Sequence, residues 1–174
     1  MRQIVLSLGM SIDGYIARRD GSVDFLFMPE DFSMAPFFET IDTVIMGRKT
    51  LDIAIAMNGG TFDGMGKKTY VFTHGRAAGV AADIEYVNGP VEPLARTLLA
   101  YEGKDIWLMG GGDLGRQFLQ ADLVDRVDIG IVPTLLGDGI PLFPGGFPQR
   151  DFDLISCNHY SRGLVTVSYL RRRA

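Results

Sequence analysis

Two apolar segments of this chain each end at glycine, in a setting that could bind phosphate. Residues 44–46 are followed by Gly47, Arg48, Lys49 and Thr50, and residues 106–109 are followed by Gly110, Gly111, Gly112, Asp113 and Leu114. Each pattern predicts a buried strand that stops at glycine and leads into a helix. The N–H groups of a helix N-terminus favour anions, and glycine lets a phosphate approach the main chain. Two such turns on one sheet could hold a dinucleotide.

The glycine triplet favours close contact between the backbone and a ligand. Residues 110–115 fit the pattern G-x-G-x-x-G, although this fingerprint usually belongs to the first βαβ unit of a nucleotide-binding domain. The alternative is a tight turn from strand to helix that binds nothing. Three adjacent glycines exceed what such a turn needs, and the excess favours a ligand.

Basic side chains follow two of the predicted strands. Arg48 lies in the first glycine turn, and Thr73, His74 and Arg76 follow another strand. Both arginines would lie at the carboxyl ends of parallel strands, where open α/β sheets bind ligands. Paired guanidinium groups suit a ribose 2′-phosphate, which favours NADP over NAD. The structural alternatives are a solvated helix start for Arg48 and a surface position for His74.

The composition is typical of one globular domain over residues 1–174. The chain is 47% hydrophobic and 22% charged, which is ordinary. A net charge of −4 with scattered acids indicates no nucleic-acid surface. Cys157 is the single cysteine, so an internal disulfide and a multi-cysteine metal site are excluded. The two histidines are too few and too far apart to indicate a metal.

We expect a cytoplasmic protein that does not enter a membrane. The chain leads directly into an apolar strand, without the charged segment and cleavage pattern of a signal peptide. No apolar run approaches the roughly 20 residues that span a bilayer.

The periodicity of apolar residues predicts an α/β fold. It places strands at 2–9, 43–46, 69–73, 84–87, 106–109, 126–132, 152–156 and 164–170, and helices at 31–41, 49–56, 91–101 and 113–120. Residues 11–17 and 58–66 are predicted loops. Strands and helices alternate until the last two strands, which indicates a mainly parallel central sheet with an antiparallel C-terminal edge. Because proline is tolerated only in the first turn of a helix, Pro36 should start the first helix near Ser33 or bend it.

Four segments in chain order resemble the dihydrofolate reductase superfamily. They are residues 11–17, 44–50, 110–112 and 132–143. The resemblance covers nearly the whole chain, and it is closest to the reductase domain of the bifunctional riboflavin-biosynthesis deaminase–reductase. It implies a three-layer fold with helices on both faces of the sheet. The four motifs are specific for the fold and far less specific for the substrate.

The resemblance implies NADPH as the cofactor and a role for each motif. Gly47, Arg48, Lys49 and Thr50 would line the pyrophosphate and adenosine side, and Thr73, His74 and Arg76 would form the adenosine loop. Gly110, Gly111 and Gly112, continued by Asp113 and Leu114, would pass beneath the cofactor, with a cis bond between Gly110 and Gly111. Gly9, Ile16 and Ala17 would border the nicotinamide.

Two acids are the candidate catalytic residues. Asp31 stands in register with the acid that binds the pterin ring in dihydrofolate reductases, and its alternative role is to cap a helix. Asp13 lies in a Ser-x-Asp-Gly loop that, in the riboflavin branch, borders substrate and nicotinamide; its alternative role is a turn aspartate. The chain departs from the family at Gly130, where a hydroxyl partner for the first acid is expected, and at Asp113, where many members have a basic residue.

These features together predict hydride transfer from NADPH to a polarised C=N or C=O of a small heterocycle. The expected substrate is a pyrimidine or pterin, as in a 5-amino-6-(5-phosphoribosylamino)uracil reductase. A true dihydrofolate reductase, a non-catalytic nucleotide-binding protein on the same fold, and an interaction module whose glycines are only turns are the alternatives.

The late strands predict a homodimer. They are apolar and lie at a sheet edge, next to a segment rich in glycine and proline at 137–146. Such an edge is commonly paired or covered, and related reductase domains tend to dimerise through this region.

Overall fold

The computed structural model describes residues 1–62, 64–75, 79–81 and 84–173. The strands in these ranges are β1 (Ile4–Ser11), β2 (Tyr15–Ala17), β3 (Ile41–Gly47), β4 (Lys68–Phe72), β5 (Gly79–Ala81), β6 (Ile84–Val87), β7 (Asp105–Gly110), β8 (Arg126–Val132), β9 (Ile140–Pro141), β10 (Phe152–His159) and β11 (Val165–Arg171). The α-helices are α1 (Ala35–Thr40), α2 (Arg48–Met57), α3 (Val91–Ala100) and α4 (Gly112–Gln120).

The main sheet has the order β10-β11-β8-β1-β7-β3-β4-β6-β5. Its central strands, from β8 to β6, run parallel. At the C-terminal edge β11 pairs antiparallel with β8, and β10 pairs antiparallel with β11. The predicted parallel sheet with an antiparallel C-terminal edge is therefore confirmed. The opposite edge also carries an antiparallel strand, β5, which the sequence did not predict.

Apolar clusters cover both faces of the sheet and explain why the central strands are buried. On one face, Leu6 of β1 and Phe118 of α4 belong to a cluster that α3 and α4 complete. On the other face, Val44 of β3 and Trp107 of β7 pack with Leu51 of α2. Parallel strands covered by helices on both sides bury nearly all their side chains, so they are almost continuously apolar. The predicted three-layer arrangement is confirmed.

Two local predictions need correction. The first helix, predicted over 31–41 with its start near Ser33, begins at Ala35, which leaves Pro36 in its first turn. Residues 11–17 were predicted as an irregular loop, but Tyr15–Ala17 forms β2, which pairs antiparallel with β9 at Pro141. In the part of the chain that the structure describes, no helix is both long and apolar enough to cross a membrane.

Candidate functional site

The two glycine turns lie side by side at the carboxyl edge of the sheet. Gly47 ends β3 and Gly110 ends β7, and the register places Met46 opposite Gly110. A Cβ atom built on Gly47 would lie 4.0 Å from the carbonyl oxygen of Gly110. The carboxyl ends of neighbouring parallel strands are where open α/β sheets bind ligands.

Two helices begin at this edge. Gly47 is the N-cap of α2 and Gly111 is the N-cap of α4, and neither helix has a side-chain cap. A Cβ atom on Gly111 would lie 3.7 Å from the hydroxyl oxygen of Thr50, in the first turn of α2. The first N–H groups of both helices and the positive ends of both dipoles are therefore close together, an arrangement that attracts anions.

The fold itself requires glycine at two positions of the triplet. Gly110 has φ +97°, and a Cβ atom there would lie 2.9 Å from a methyl group of Leu8. A Cβ atom on Gly112 would lie 2.3 Å from the carbonyl oxygen of Pro141 in β9. The bond between Gly110 and Gly111 is cis, as the family resemblance implies. Packing thus accounts for two of the three glycines, without a ligand.

Packing does not account for Gly47 and Gly111. Their φ angles are −83° and −70°, which any residue can adopt. Cβ atoms at these positions would meet their nearest neighbours at 4.0 Å and 3.7 Å, which are ordinary contacts. The absent side chains leave space beside two main-chain segments, at the point where the N-termini of α2 and α4 meet. We call this space the cradle, and its N–H groups favour an anionic group.

The loop after β4 reaches the same edge. Thr73 is buried; its N–H donates to the carbonyl of Val87, and its hydroxyl accepts the N–H of Gly75 at 3.3 Å. Arg76, which was predicted to complete this loop, lies outside the described residues.

His74 of this loop lies near the start of α4. Hydrogen bonds from Arg116 hold the pKa of Asp113 below its ordinary value, and the nearby His74 acts in the same direction. The carboxylate of Asp113 accepts hydrogen bonds from Arg116 and Gln117, which lie one turn further along the same helix. The acid at which the chain departs from the family resemblance is thus paired within α4.

Arg48 is the first residue of α2 and pairs with an acid one turn further on. Its Nε lies 2.8 Å from Oδ1 of Asp52, and the two side chains are 46% and 52% exposed. Asp52 raises the pKa of the Arg48 guanidinium, and Tyr86 of β6 lies close enough to add to this effect. Arg48 therefore lies on the β4–β6 side of the cradle. Lys49 is exposed beside it.

The opposite side of the cradle is formed by β1 and β2. The side chain of Ile16 lies 4.0 Å from where a Cβ atom of Gly111 would be, and Ala17 is buried next to it. Gly9 of β1 pairs with Gly130 of β8, and a Cβ atom on Gly9 would lie 3.1 Å from Leu26. The segment that contains Leu26 therefore covers the ends of β1 and β8.

Asp13 ties two loops together on this side. Its carboxylate accepts the hydroxyl of Ser11 at 2.6 Å and the N–H groups of Leu136 and Gly137 at 3.2 and 2.7 Å. These bonds, the one from Ser11 first, hold the pKa of Asp13 below its ordinary value. The carboxylate holds the loop after β1 against the loop after β8.

Asp31 does not cap α1, because the N-cap of that helix is Met34. Its carboxylate accepts the N–H of Ser161 at 2.8 Å and the hydroxyl of Ser161 at 2.7 Å. These bonds, the backbone one first, hold the pKa of Asp31 below its ordinary value. A hydroxyl partner was expected on β8, where Gly130 stands, but it comes from the turn between β10 and β11. Nothing in the spacing indicates Ser161, which lies 130 residues from Asp31.

The family model of the RibD C-terminal domain matches residues 66–166, more than half of the chain. The chain belongs to this family. YwjB, an uncharacterized protein of Bacillus subtilis (strain 168), is 35% identical over 145 residues, which cover 82% of this chain and 83% of YwjB.

Two solved structures share the fold of this RibD C-terminal domain. A Shewanella sp. PV-4 protein, provisionally named a riboflavin biosynthesis protein, is 26% identical with a TM-score of 0.85, and the match covers 99% of this chain and 100% of that one. Dihydrofolate reductase from Enterococcus faecalis, complexed with NADP(H) and RAB-propyl, is 16% identical with a TM-score of 0.68, and the match covers 98% and 97%. The second similarity shows a dihydrofolate reductase-like fold and no more.

The family match includes only one of the two glycine turns. Gly110–Gly112 and Thr73 lie inside residues 66–166, whereas Gly47, Asp13 and Asp31 precede them. The similarity to the Shewanella structure spans both parts. The candidate site of this RibD C-terminal domain therefore extends beyond the segment that the family model matches.

Proposed function

We propose that this RibD C-terminal domain is an NADPH-dependent reductase that acts on a small pyrimidine- or pterin-type heterocycle. The observation that carries the proposal is the cradle at Gly47 and Gly111, where two helix N-termini meet and the chain itself does not need glycine. Its residues fit a dinucleotide diphosphate, because an anion there would accept N–H bonds from both helices at close range.

The coenzyme would extend in opposite directions from the cradle. Arg48, Thr73 and His74 line the β3–β4 side and would bind the adenosine half. Ile16 and Gly9 line the β1 side and would border the nicotinamide. The bound coenzyme would supply the hydride, and the protein would align the ring with the substrate.

The substrate would bind over β1 and β8, beyond the nicotinamide. The segment around Leu26 covers these strand ends, and Phe25, Val132 and Leu164 form a small buried cluster below it. This apolar cluster and the segment above it would exclude water from the reacting atoms. Electrostatic interactions between those atoms and the protein would then be stronger. The resemblance to riboflavin-biosynthesis reductases supports a substrate of the 5-amino-6-(5-phosphoribosylamino)uracil type.

Asp13 and Asp31 border this region from two loops. Because both carboxylates accept hydrogen bonds from other segments, we propose that they position those segments around the substrate. Direct contact between Asp31 and the substrate ring stays a prediction.

The decisive experiment is a titration with NADPH, followed through the fluorescence of Trp107, the single tryptophan of the chain. Gly47→Ala should weaken NADPH binding by about tenfold or more, equivalent to about 1.4 kcal/mol, because a Cβ atom would fill the cradle. Its matched control is Gly115→Ala in α4, where a Cβ atom would make ordinary 3.7 Å contacts with Leu6. Equal NADPH affinity in wild type and Gly47→Ala would contradict the proposed site.

Turnover separates the remaining functions. Oxidation of NADPH in the presence of a phosphoribosylaminopyrimidine, but not dihydrofolate, is the expected result. Faster turnover of dihydrofolate would make the protein a folate reductase. Tight NADPH binding without turnover of either class would make it a nucleotide-binding protein.

We also propose that the protein acts as a cytoplasmic homodimer. Of the strands that the structure describes, β10 pairs only with β11, and its residues from Asp153 to His159 are exposed. A second copy of β10 would satisfy this backbone edge antiparallel, which generates a two-fold axis.

A further inference from the structure

Several arginines are already paired with acids of this chain. Arg18 pairs with Asp24, Arg19 with Asp138, Arg48 with Asp52 and Arg116 with Asp113. The pair in α2 is the one that lies on the adenosine side of the cradle. An anion that binds the Nε edge of Arg48 must therefore compete with the carboxylate of Asp52.

We propose that Asp52 is a specificity-determining residue that weakens the preference of this site for a coenzyme with a 2′-phosphate. This inference rests on the proposed function, because it assumes that NADPH occupies the cradle. Asp52 would act by holding the Arg48 guanidinium and by repelling the phosphate, without touching the coenzyme diphosphate.

The competition between Asp52 and a phosphate for Arg48 follows from the geometry of α2. Residues four apart lie on the same face of a helix, so the backbone of α2 places the side chains of Arg48 and Asp52 next to each other. The contact joins Nε of Arg48 to Oδ1 of Asp52 at 2.8 Å. A phosphate that binds the guanidinium through Nε and one Nη group would have to share Nε with the carboxylate or displace it.

The negative charge of Asp52 should also weaken the binding of a 2′-phosphate. A ribose 2′-phosphate carries a charge of about −1.5 to −2, and it would bind within a few ångströms of a second anion. Because the Arg48–Asp52 pair is half-exposed, water screens this repulsion and limits it to a modest factor. NADH lacks the 2′-phosphate and would not experience the repulsion. Asp52 should therefore change the ratio of the two affinities more than the affinity for NADH.

The test measures binding of NADPH, NADH, 2′,5′-ADP and 5′-ADP to the full chain. Asp52→Asn should raise the affinity for NADPH and 2′,5′-ADP by about three- to tenfold and change the affinity for NADH and 5′-ADP by less than about twofold. In Arg48→Ala, the additional Asp52→Asn change should give a smaller gain, because only the repulsion between Asp52 and the phosphate is then removed. The control is Asp24→Asn, which removes the same charge from a comparable arginine pair outside α2.

Each result has a separate meaning. Wild-type binding of NADPH with no change in Asp52→Asn would overturn this inference and leave the proposed function intact. An equal gain for NADH, or the same gain in Asp24→Asn, would also overturn it by showing a general charge effect. Failure of wild type to bind either coenzyme would overturn both the inference about Asp52 and the proposed function. Thermal unfolding of each variant confirms that the protein measured is folded.

Discussion

The backbone N–H of Gly137 donates a 2.7 Å hydrogen bond to the carboxylate of Asp13, across 124 residues of chain. The bond joins the loop after β1 to the loop after β8. Both loops continue into the small β2–β9 sheet, which packs Pro141 against Gly112. Asp13 therefore stabilises the loops that hold the start of α4 in place.

Asp13→Asn should lower the thermal midpoint at pH 7 by roughly 2–4 °C, because one carboxylate oxygen becomes a donor facing N–H groups. The folded pKa of Asp13 lies below its ordinary value of 3.8, so its contribution is complete above that pH and is lost as pH falls through the folded value. The difference from wild type should thus shrink below about pH 4. Glu102→Gln, at an exposed acid, is the control. A constant difference down to pH 2 would contradict this role.

Asp31 and Ser161 should behave as a coupled pair. Asp31→Asn and Ser161→Ala should each lower the thermal midpoint by roughly 2–4 °C, and the double variant should lose little more than either single variant. Additive losses would show that the two residues act independently. A catalytic Asp31 predicts, in addition, that kcat falls about 10²-fold or more in Asp31→Asn and much less in Ser161→Ala. Similar small losses of kcat would restrict Asp31 to positioning the turn.

Gly112→Ala should destabilise the fold by about 1–3 kcal/mol or more, because its Cβ atom would lie 2.3 Å from the Pro141 carbonyl oxygen. Gly115→Ala, three residues further along α4, should be neutral or stabilising, because alanine favours helix and its contacts are ordinary. Urea unfolding of both variants measures the difference. Equal stability would mean that β9 does not pack against α4 as described.

Ile155→Lys should convert the proposed homodimer to monomer. Ile155 is 55% exposed on β10, and a lysine on an edge strand opposes pairing with another strand. Met57→Lys is the matched control, since Met57 is 70% exposed at the end of α2, away from β10. Light scattering at micromolar concentration gives the mass. A monomeric wild type would reject the dimer.

Much of the fold was predictable because the buried parallel strands are almost continuously apolar. Val44–Met46 and Ile106–Met109 identified β3 and β7, and the glycines that follow them identified the turns into α2 and α4. The short strands β2 and β9 could not be predicted, because two or three residues have no periodicity and their pairing joins segments about 120 residues apart.

The candidate site was only partly predictable. The sequence placed Gly47 and Gly111 at one edge, but it could not separate glycines that packing requires from glycines that leave space. Pairs distant along the chain, such as Asp31 with Ser161, depend on the folded loops. The pair of Arg48 and Asp52 was accessible from its spacing alone, because residues four apart meet on a helix.

The position of β1 has a consequence for synthesis of the protein. Its apolar residues lie between β7 and β8, and Ile4 pairs opposite Ile106. On the ribosome, this first strand emerges about a hundred residues before either neighbour exists. Nascent chains that end before β7 expose an unpaired apolar strand, which is the kind of segment that chaperones bind and that aggregates when translation stops early.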